Sequence, residues 1–170
     1  MIGMTMEMAK IRVLMVCLGN ICRSPMAHGV FAARIREHGL EPAIEVDSAG
    51  TAGYHVGAKP DRRASQEARS RGYDLDDLRA RQLEPEDFLE FDYILTMDDA
   101  NYRNAEAIRP PEARAELLRF LDFAPQFDEH EVPDPYYGGD EGFVHVMDLV
   151  EAAADGLLAH IRERHTLKAS

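Results

Sequence analysis

Residues 11–26, IRVLMVCLGNICRSPM, constrain this chain more than any other stretch. Residues 11–16 are apolar except for Arg12 and read as a strand buried on both faces. Gly19 and Asn20 mark a tight turn. Pro25 suits the first turn of a helix, where its missing N–H would be unpaired anyway. A strand, a short loop and a helix in that order bring backbone N–H groups together at a helix N-terminus, which is an anion site. The side chains placed there are the thiol of Cys17 and the guanidinium of Arg23, five residues apart in the C-x5-R sense.

That pairing has a chemical consequence. A cysteine is a nucleophile as thiolate, and a helix N-terminus plus a nearby cation favour that form. The same N–H groups suit the three non-bridging oxygens of a phosphoryl group, and a planar guanidinium can grip two of them. One curled loop between Cys17 and Arg23 can wrap a single tetrahedral anion with the sulfur beneath the phosphorus. The hydroxyl of Ser24 is placed to donate to that sulfur. Asn20 tolerates the left-handed backbone that such a loop requires.

Composition narrows the remaining choices. A chain of 170 residues suits one domain, expected over 10–165, and needs no cross-links. Residues 1–9 read as a loose extension, and the chain is expected to fray after His165. The two cysteines do not form a disulfide scaffold, and thiol chemistry suits a reducing cytoplasm. The seven histidines and two cysteines show no metal-ligand spacing. A net charge of −12 argues against a nucleic-acid or anionic-membrane binder. No apolar run reaches the length of a membrane span.

The rest of the chain alternates helical and strand patterns. A helix is expected over 24–38, with Met26, Val30 and Ala33 on one row and Ala27, Phe31 and Ile35 on another, stopped by Gly39. His28 on that helix reads as supporting or exposed. A second strand is expected over 44–47, leading into a small-residue turn over 48–53. A polar helix follows over 61–71, ended by Gly72, and a short turn over 85–88. The third strand is expected over 91–96, with Asp98 or Asp99 capping a helix that runs to residue 107. The fourth strand is expected over 116–120, with a turn over 121–123. Residues 124–139 form a long aperiodic loop, a form that in compact domains is usually functional. The last helix starts near Asp140, with Phe143, Met147, Val150, Ala154, Leu157 and Ile161 on its buried face. Alternation of this kind predicts an α/β fold with a parallel sheet and right-handed crossovers.

Cys17-Leu18-Gly19-Asn20-Ile21-Cys22-Arg23-Ser24 near the start and Asp134-Pro135-Tyr136-Tyr137-Gly138 near the end together resemble the low-molecular-weight protein tyrosine phosphatases. The resemblance spans residues 11–160. It implies a three-layer α/β/α domain with four parallel strands in the order 2-1-3-4 and the phosphate loop after the first. It implies hydrolysis of phosphotyrosine through a phosphocysteine on Cys17. Arg23 would stabilise the charge, and Leu18, Gly19, Asn20, Ile21, Cys22 and Ser24 would bind the phosphate. Asp134 would serve as general acid and then as base. Tyr54, Tyr136 and Tyr137 would line the substrate cleft, although Tyr54 reads equally as an exposed loop residue. Ser48 would hydrogen-bond Asn20 from behind the loop. Leu78 stands where many members have a supporting histidine. No cofactor is implied. The expected partners are phosphotyrosine-containing proteins, and the expected state is a monomer or weak homodimer.

Three rivals share parts of this pattern. A thiol-dependent arsenate reductase needs a relay of further cysteines, and only Cys22 accompanies Cys17. The arginine-phosphatase branch has Thr where this loop has Ile21. A phosphoprotein-binding module would lack the nucleophile or the acid. Cys22 itself reads either as a small buried side chain or as a thiol that traps oxidised Cys17 as a disulfide.

Overall fold

The computed structural model describes residues 10–167, so the expected N-terminal extension and residues 168–170 lie outside the described residues. Four parallel strands, β1 (Ile11–Cys17), β2 (Ile44–Gly50), β3 (Tyr93–Thr96) and β4 (Glu116–Arg119), form one sheet in the order β2-β1-β3-β4. β1 is the central strand. It pairs Cys17 with Gly50 on one side and Val16 with Thr96 on the other.

Alternation along β1 feeds two cores. Val13, Met15 and Cys17 face one, with Met26, Val30 and Phe31 of α1 (Arg23–Glu37) and Val146, Val150, Leu157 and Ile161 of α5 (Asp140–Arg164). Leu14 and Val16 face the other, with Phe88 of α3 (Asp87–Glu90), Ala105 of α4 (Asp99–Ala107) and Leu117 of β4. A helix layer therefore covers each face, and α2 (Arg62–Ser70) packs outside α1 and α5. Burial on both faces explains why β1 is an unbroken apolar run after Arg12.

Most expected elements occur within a residue or two. Gly39 and Gly72 follow α1 and α2 with φ of 65° and 92°, the left-handed stops expected there. β2 runs three residues past the expected end, because Ser48, Ala49 and Gly50 still pair with β1. β3 begins two residues late. There Asp92 bonds Arg12 instead: its N–H donates to the Arg12 carbonyl at 2.8 Å, and its side chain accepts the Arg12 N–H. Phe120 leaves β4 for a 3-10 turn, Phe120–Phe123, whose Phe123 carbonyl passes so close to α5 that a Cβ on Gly156 would lie 1.8 Å from it. Past His165, Thr166 turns with φ 56° and the Leu167 N–H bonds the Arg162 carbonyl at 2.8 Å.

Strand order reverses direction between β1 and β3. In open α/β sheets, ligands bind at the carboxyl ends of the strands at such a point. Cys17 is the last residue of β1.

Candidate active site

The loop from Cys17 to Arg23 is held from outside through its carbonyls. The Cys17 and Leu18 carbonyls accept from Thr51 and Ala52 N–H, each at 2.9 Å, and the Ile21 carbonyl accepts from Asp61 N–H at 2.7 Å. The N–H groups of Leu18, Gly19, Ile21 and Cys22 have no acceptor among the described residues, which leaves them available to an anion in the curl of the loop. Asn20 sits at φ 58°, the left-handed conformation expected of it, and its N–H points at Cys17 Sγ at 3.3 Å.

Side chains orient the sulfur. Asn20 Nδ2 donates to Ser24 Oγ at 2.7 Å. The hydroxyl oxygen is thus an acceptor from the amide, and it lies 3.1 Å from Cys17 Sγ and 3.5 Å from the Ala49 carbonyl, the two partners within reach of its own proton. Asn20 Oδ1 accepts the Arg81 N–H at 3.0 Å. Arg81 is itself fixed by a bidentate pair with Asp87, both contacts at 3.1 Å, and by Asp47 at 3.2 Å.

This arrangement corrects the expected Ser48–Asn20 bond. The Asn20 amide is already committed at both ends, to Ser24 and to Arg81. Ser48 Oγ instead meets His28 Nδ1 at 3.0 Å, one turn of α1 beyond Ser24. Burial pushes the His28 imidazole below its ordinary value, with Asp47 partly opposing. Leu78, at the expected histidine place, packs against the core.

Arg23 is a buried cation, its side chain 3% exposed. Nη1 donates to Asp98 at 2.6 Å and to the Val132 carbonyl at 3.0 Å, and Nη2 lies 3.6 Å from Asp134 Oδ2. Burial works against its charge, but the Cys17 sulfur and Asp98 outweigh burial and hold the guanidinium above its ordinary range. Asp98 does two jobs: its other oxygen accepts the Asn101 N–H at 2.7 Å and caps α4. The sequence offered Asp98 or Asp99 as that cap, and gave no sign of the link to Arg23. Asp134 reaches the same cleft from the long loop, and its Oδ1 accepts the Tyr136 N–H at 3.1 Å.

Cys22 is buried, and burial, followed by Asp61, Cys17 and Asp134, pushes its thiol far up. Burial thus favours the neutral thiol at Cys22, in the same loop as Cys17.

The loop floors a cleft of about 100 Å3, walled by Tyr54, His55, Tyr136 and Tyr137. The three expected tyrosines thus come together, with Tyr136 and Tyr137 edge to face at 5.0 Å. His55 is a wall residue that sequence reasoning passed over; its ring covers Gly19, where a Cβ would sit 2.9 Å from it. Among the described residues no group of three His, Cys, Asp or Glu side chains is placed to hold a metal ion.

Comparison with known proteins gives consistent matches. The family model for low molecular weight phosphotyrosine protein phosphatase matches residues 12–167. A low molecular weight protein-tyrosine-phosphatase of Streptomyces coelicolor is 44% identical over 156 residues, covering 90% of this chain and 94% of the relative. The crystal structure of a protein tyrosine phosphatase from Entamoeba histolytica superposes with a TM-score of 0.87 at 40% identity, covering 92% and 99% of the two chains. A Drosophila arginine phosphatase superposes with a TM-score of 0.84 at 28% identity over 89% of this chain and 98% of that one.

Proposed function

This chain belongs to the low molecular weight phosphotyrosine protein phosphatases, and on that premise we propose that Cys17, Arg23 and Asp134 carry out its chemistry. The observation that carries this division of roles is their convergence: sulfur, guanidinium and carboxyl line one small cleft.

In the first step the Cys17 thiolate attacks phosphorus, the S–P bond forms and the P–O bond to the tyrosyl oxygen breaks. A phenolate is a poor leaving group near neutral pH, so Asp134, protonated, gives its proton to that oxygen. Charge spreads over the three equatorial oxygens in the transition state, and the loop N–H groups with Arg23 face them. In the second step water attacks phosphorus, the Asp134 carboxylate takes its proton, and the S–P bond breaks to return the thiolate and release phosphate. Ser24 and the Asn20 N–H support the sulfur both as nucleophile and as leaving group. The aromatic walls favour an aryl ester.

Phosphotyrosine-containing proteins are the substrates this reading assigns. The acidic surface and free thiols support action in the cytoplasm, as a monomer or weak homodimer, without nucleic-acid partners. No helix among the described residues is long and apolar enough to cross a membrane. Ile21, half-buried against the core where the arginine-phosphatase branch has Thr, supports the tyrosine side of the family.

The test compares wild type, Cys17→Ser and Asp134→Asn on a series of aryl phosphates, with a phosphoarginine peptide as control. Cys17→Ser is expected to lose turnover more than about 100-fold while keeping phosphate affinity. Asp134→Asn is expected to slow esters of weakly acidic phenols by about 100-fold or more and esters of acidic phenols far less. Substantial turnover by Cys17→Ser, or an equal loss across leaving groups for Asp134→Asn, would reject these roles.

A further inference from the structure

Asp134 must face the cleft through both chemical steps, yet it sits on a loop without regular structure. That loop is anchored upstream where the Val132 N–H bonds the Met97 carbonyl at 2.7 Å, and downstream where α5 begins at Asp140. Between those anchors, one side chain from outside hydrogen-bonds the backbone of residues 133–139 among the described residues: Arg63 of α2. Its Nη2 donates to the Tyr136 carbonyl at 2.9 Å and its Nη1 to the Gly138 carbonyl at 3.3 Å. The guanidinium also lies 4.8 Å from the Phe143 ring centre and 5.6 Å from that of Tyr136.

The same guanidinium is tied to the phosphate loop. Nε and Nη2 each contact the Asp61 carboxylate at 3.2 Å, and Asp61 Oδ1 also accepts the Arg63 N–H at 2.8 Å, capping α2. The Asp61 N–H in turn donates to the Ile21 carbonyl at 2.7 Å. A continuous path of hydrogen bonds therefore runs from Ile21 in the phosphate loop through Asp61 and Arg63 to Tyr136. The Tyr136 residue that accepts from Arg63 through its carbonyl donates to Asp134 through its N–H.

We propose that Arg63 is a positioning residue for the general acid: it pins the turn that carries Asp134 to the loop that carries Cys17. Arg suits this place, since a planar fork with five donors serves a carboxylate and two carbonyls at once and a lysine cannot. Arg63 and Asp61 lie near the surface, where ion pairs add little to stability. The gain is geometric, because a misplacement of about 1 Å can cost two orders of magnitude in rate.

The proposal rests on Asp134 being the acid, and the test separates the two. Arg63→Ala is measured on the aryl phosphate series, alone and combined with Asp134→Asn. Alone it is expected to lower kcat about 10-fold on phenyl phosphate and less than about 3-fold on a dinitrophenyl ester, which needs no acid. Inhibition by inorganic phosphate is expected to stay within about 2-fold, since the cradle is untouched. Arg63→Lys is expected to restore part of the loss. In the Asp134→Asn background, Arg63→Ala is expected to cost nothing further, because the group it positions is gone. Arg63→Gln, which keeps one donor nitrogen, takes the place of the alanine variant if that variant does not fold. A loss equal across leaving groups, weakened phosphate inhibition, or an additive loss on top of Asp134→Asn overturns the proposal. A flat leaving-group series for Asp134→Asn itself removes the acid assignment and the proposal together.

Discussion

Asn20 commits its whole side chain to the loop it belongs to. Its amide nitrogen fixes Ser24, its oxygen holds the Arg81 backbone, and its left-handed backbone turns its own N–H onto the sulfur. Besides glycine, Asn and Asp adopt the left-handed conformation most readily, and of the two only Asn has a side chain that both donates and accepts. His28 is the residue whose titration reaches beyond its own contacts. Burial holds it below the ordinary 6.5, against Asp47, so it is neutral in the fold beside Ser48. The unfolded chain then binds a proton that the folded chain does not, over the window from 6.5 down to the lowered value. Stability must decrease as the pH drops through that window, by up to about 1.4 kcal/mol per pH unit for one group. His28→Asn keeps a neutral hydrogen-bonding side chain and removes the titration. Its urea-unfolding free energy is expected to depend less steeply on pH just below 6.5 than that of wild type; an unchanged slope would mean that the fold does not shift the titration of His28. The motif Cys17–Ser24 was legible because its members are consecutive. The links from His28 to Ser48 and from Asn20 to Arg81 were not, because only the sheet and the loop after α2 bring those residues together.

At the scale of elements, the phosphate loop depends on the strand beside it. Gly50 ends β2 opposite Cys17, and a Cβ there would lie 2.7 Å from the Leu18 carbonyl oxygen, 3.0 Å from the Gly19 carbonyl carbon and 3.1 Å from the Asn20 nitrogen. All three are backbone atoms of the loop, so no side chain can swing aside. Gly50 is also gripped on its far side, its N–H by the Arg81 carbonyl at 2.9 Å and its carbonyl by the Leu83 N–H at 2.7 Å. Gly50→Ala must therefore move the loop instead of the strand. It is expected to weaken competitive inhibition by phosphate about 10-fold or more and to lower kcat/KM at least as much. Unchanged phosphate inhibition would show that the loop adapts. Sequence patterning reached the elements because apolar periodicity is local, which is why β1, α1 and α5 emerged nearly whole. It stopped short at the end of β2, where Ser48, Ala49 and Gly50 look like a turn and are a strand, since what extends the strand is its partner. The polar helix α2 looked solvated, and most of it is, yet Arg63 on it reaches the loop that carries Asp134.

Over the whole molecule, the site is where separate parts of the fold meet. β1, α1, the end of β2, the Arg81 segment and residues 124–139 all contribute backbone or side chains to it. Much of what they hold in place is positive or donating, in a chain whose net charge is −12. Arg23 faces two carboxylates, Asp98 at 2.6 Å, which also caps α4, and Asp134 at 3.6 Å, which also accepts the Tyr136 N–H. An anion bound in the loop would compete with Asp134 for that cation. A ligand that binds only the folded state stabilises it by mass action, by about 2.7 kcal/mol at 100 times its Kd. For a domain of this size that corresponds to a rise in Tm of roughly 5–10 °C. Phosphate or vanadate is expected to produce such a rise in wild type and in Cys17→Ser, since the cradle survives in both. Arg23→Ala is expected to lose most of it. Asp134→Asn is expected to show a larger rise at the same anion concentration, because a like charge facing the anion has been removed. Thermal melts of the four proteins across an anion titration check all of this. A rise in Arg23→Ala as large as in wild type would place the anion elsewhere, and a smaller rise in Asp134→Asn would mean that the carboxyl holds the anion and does not oppose it.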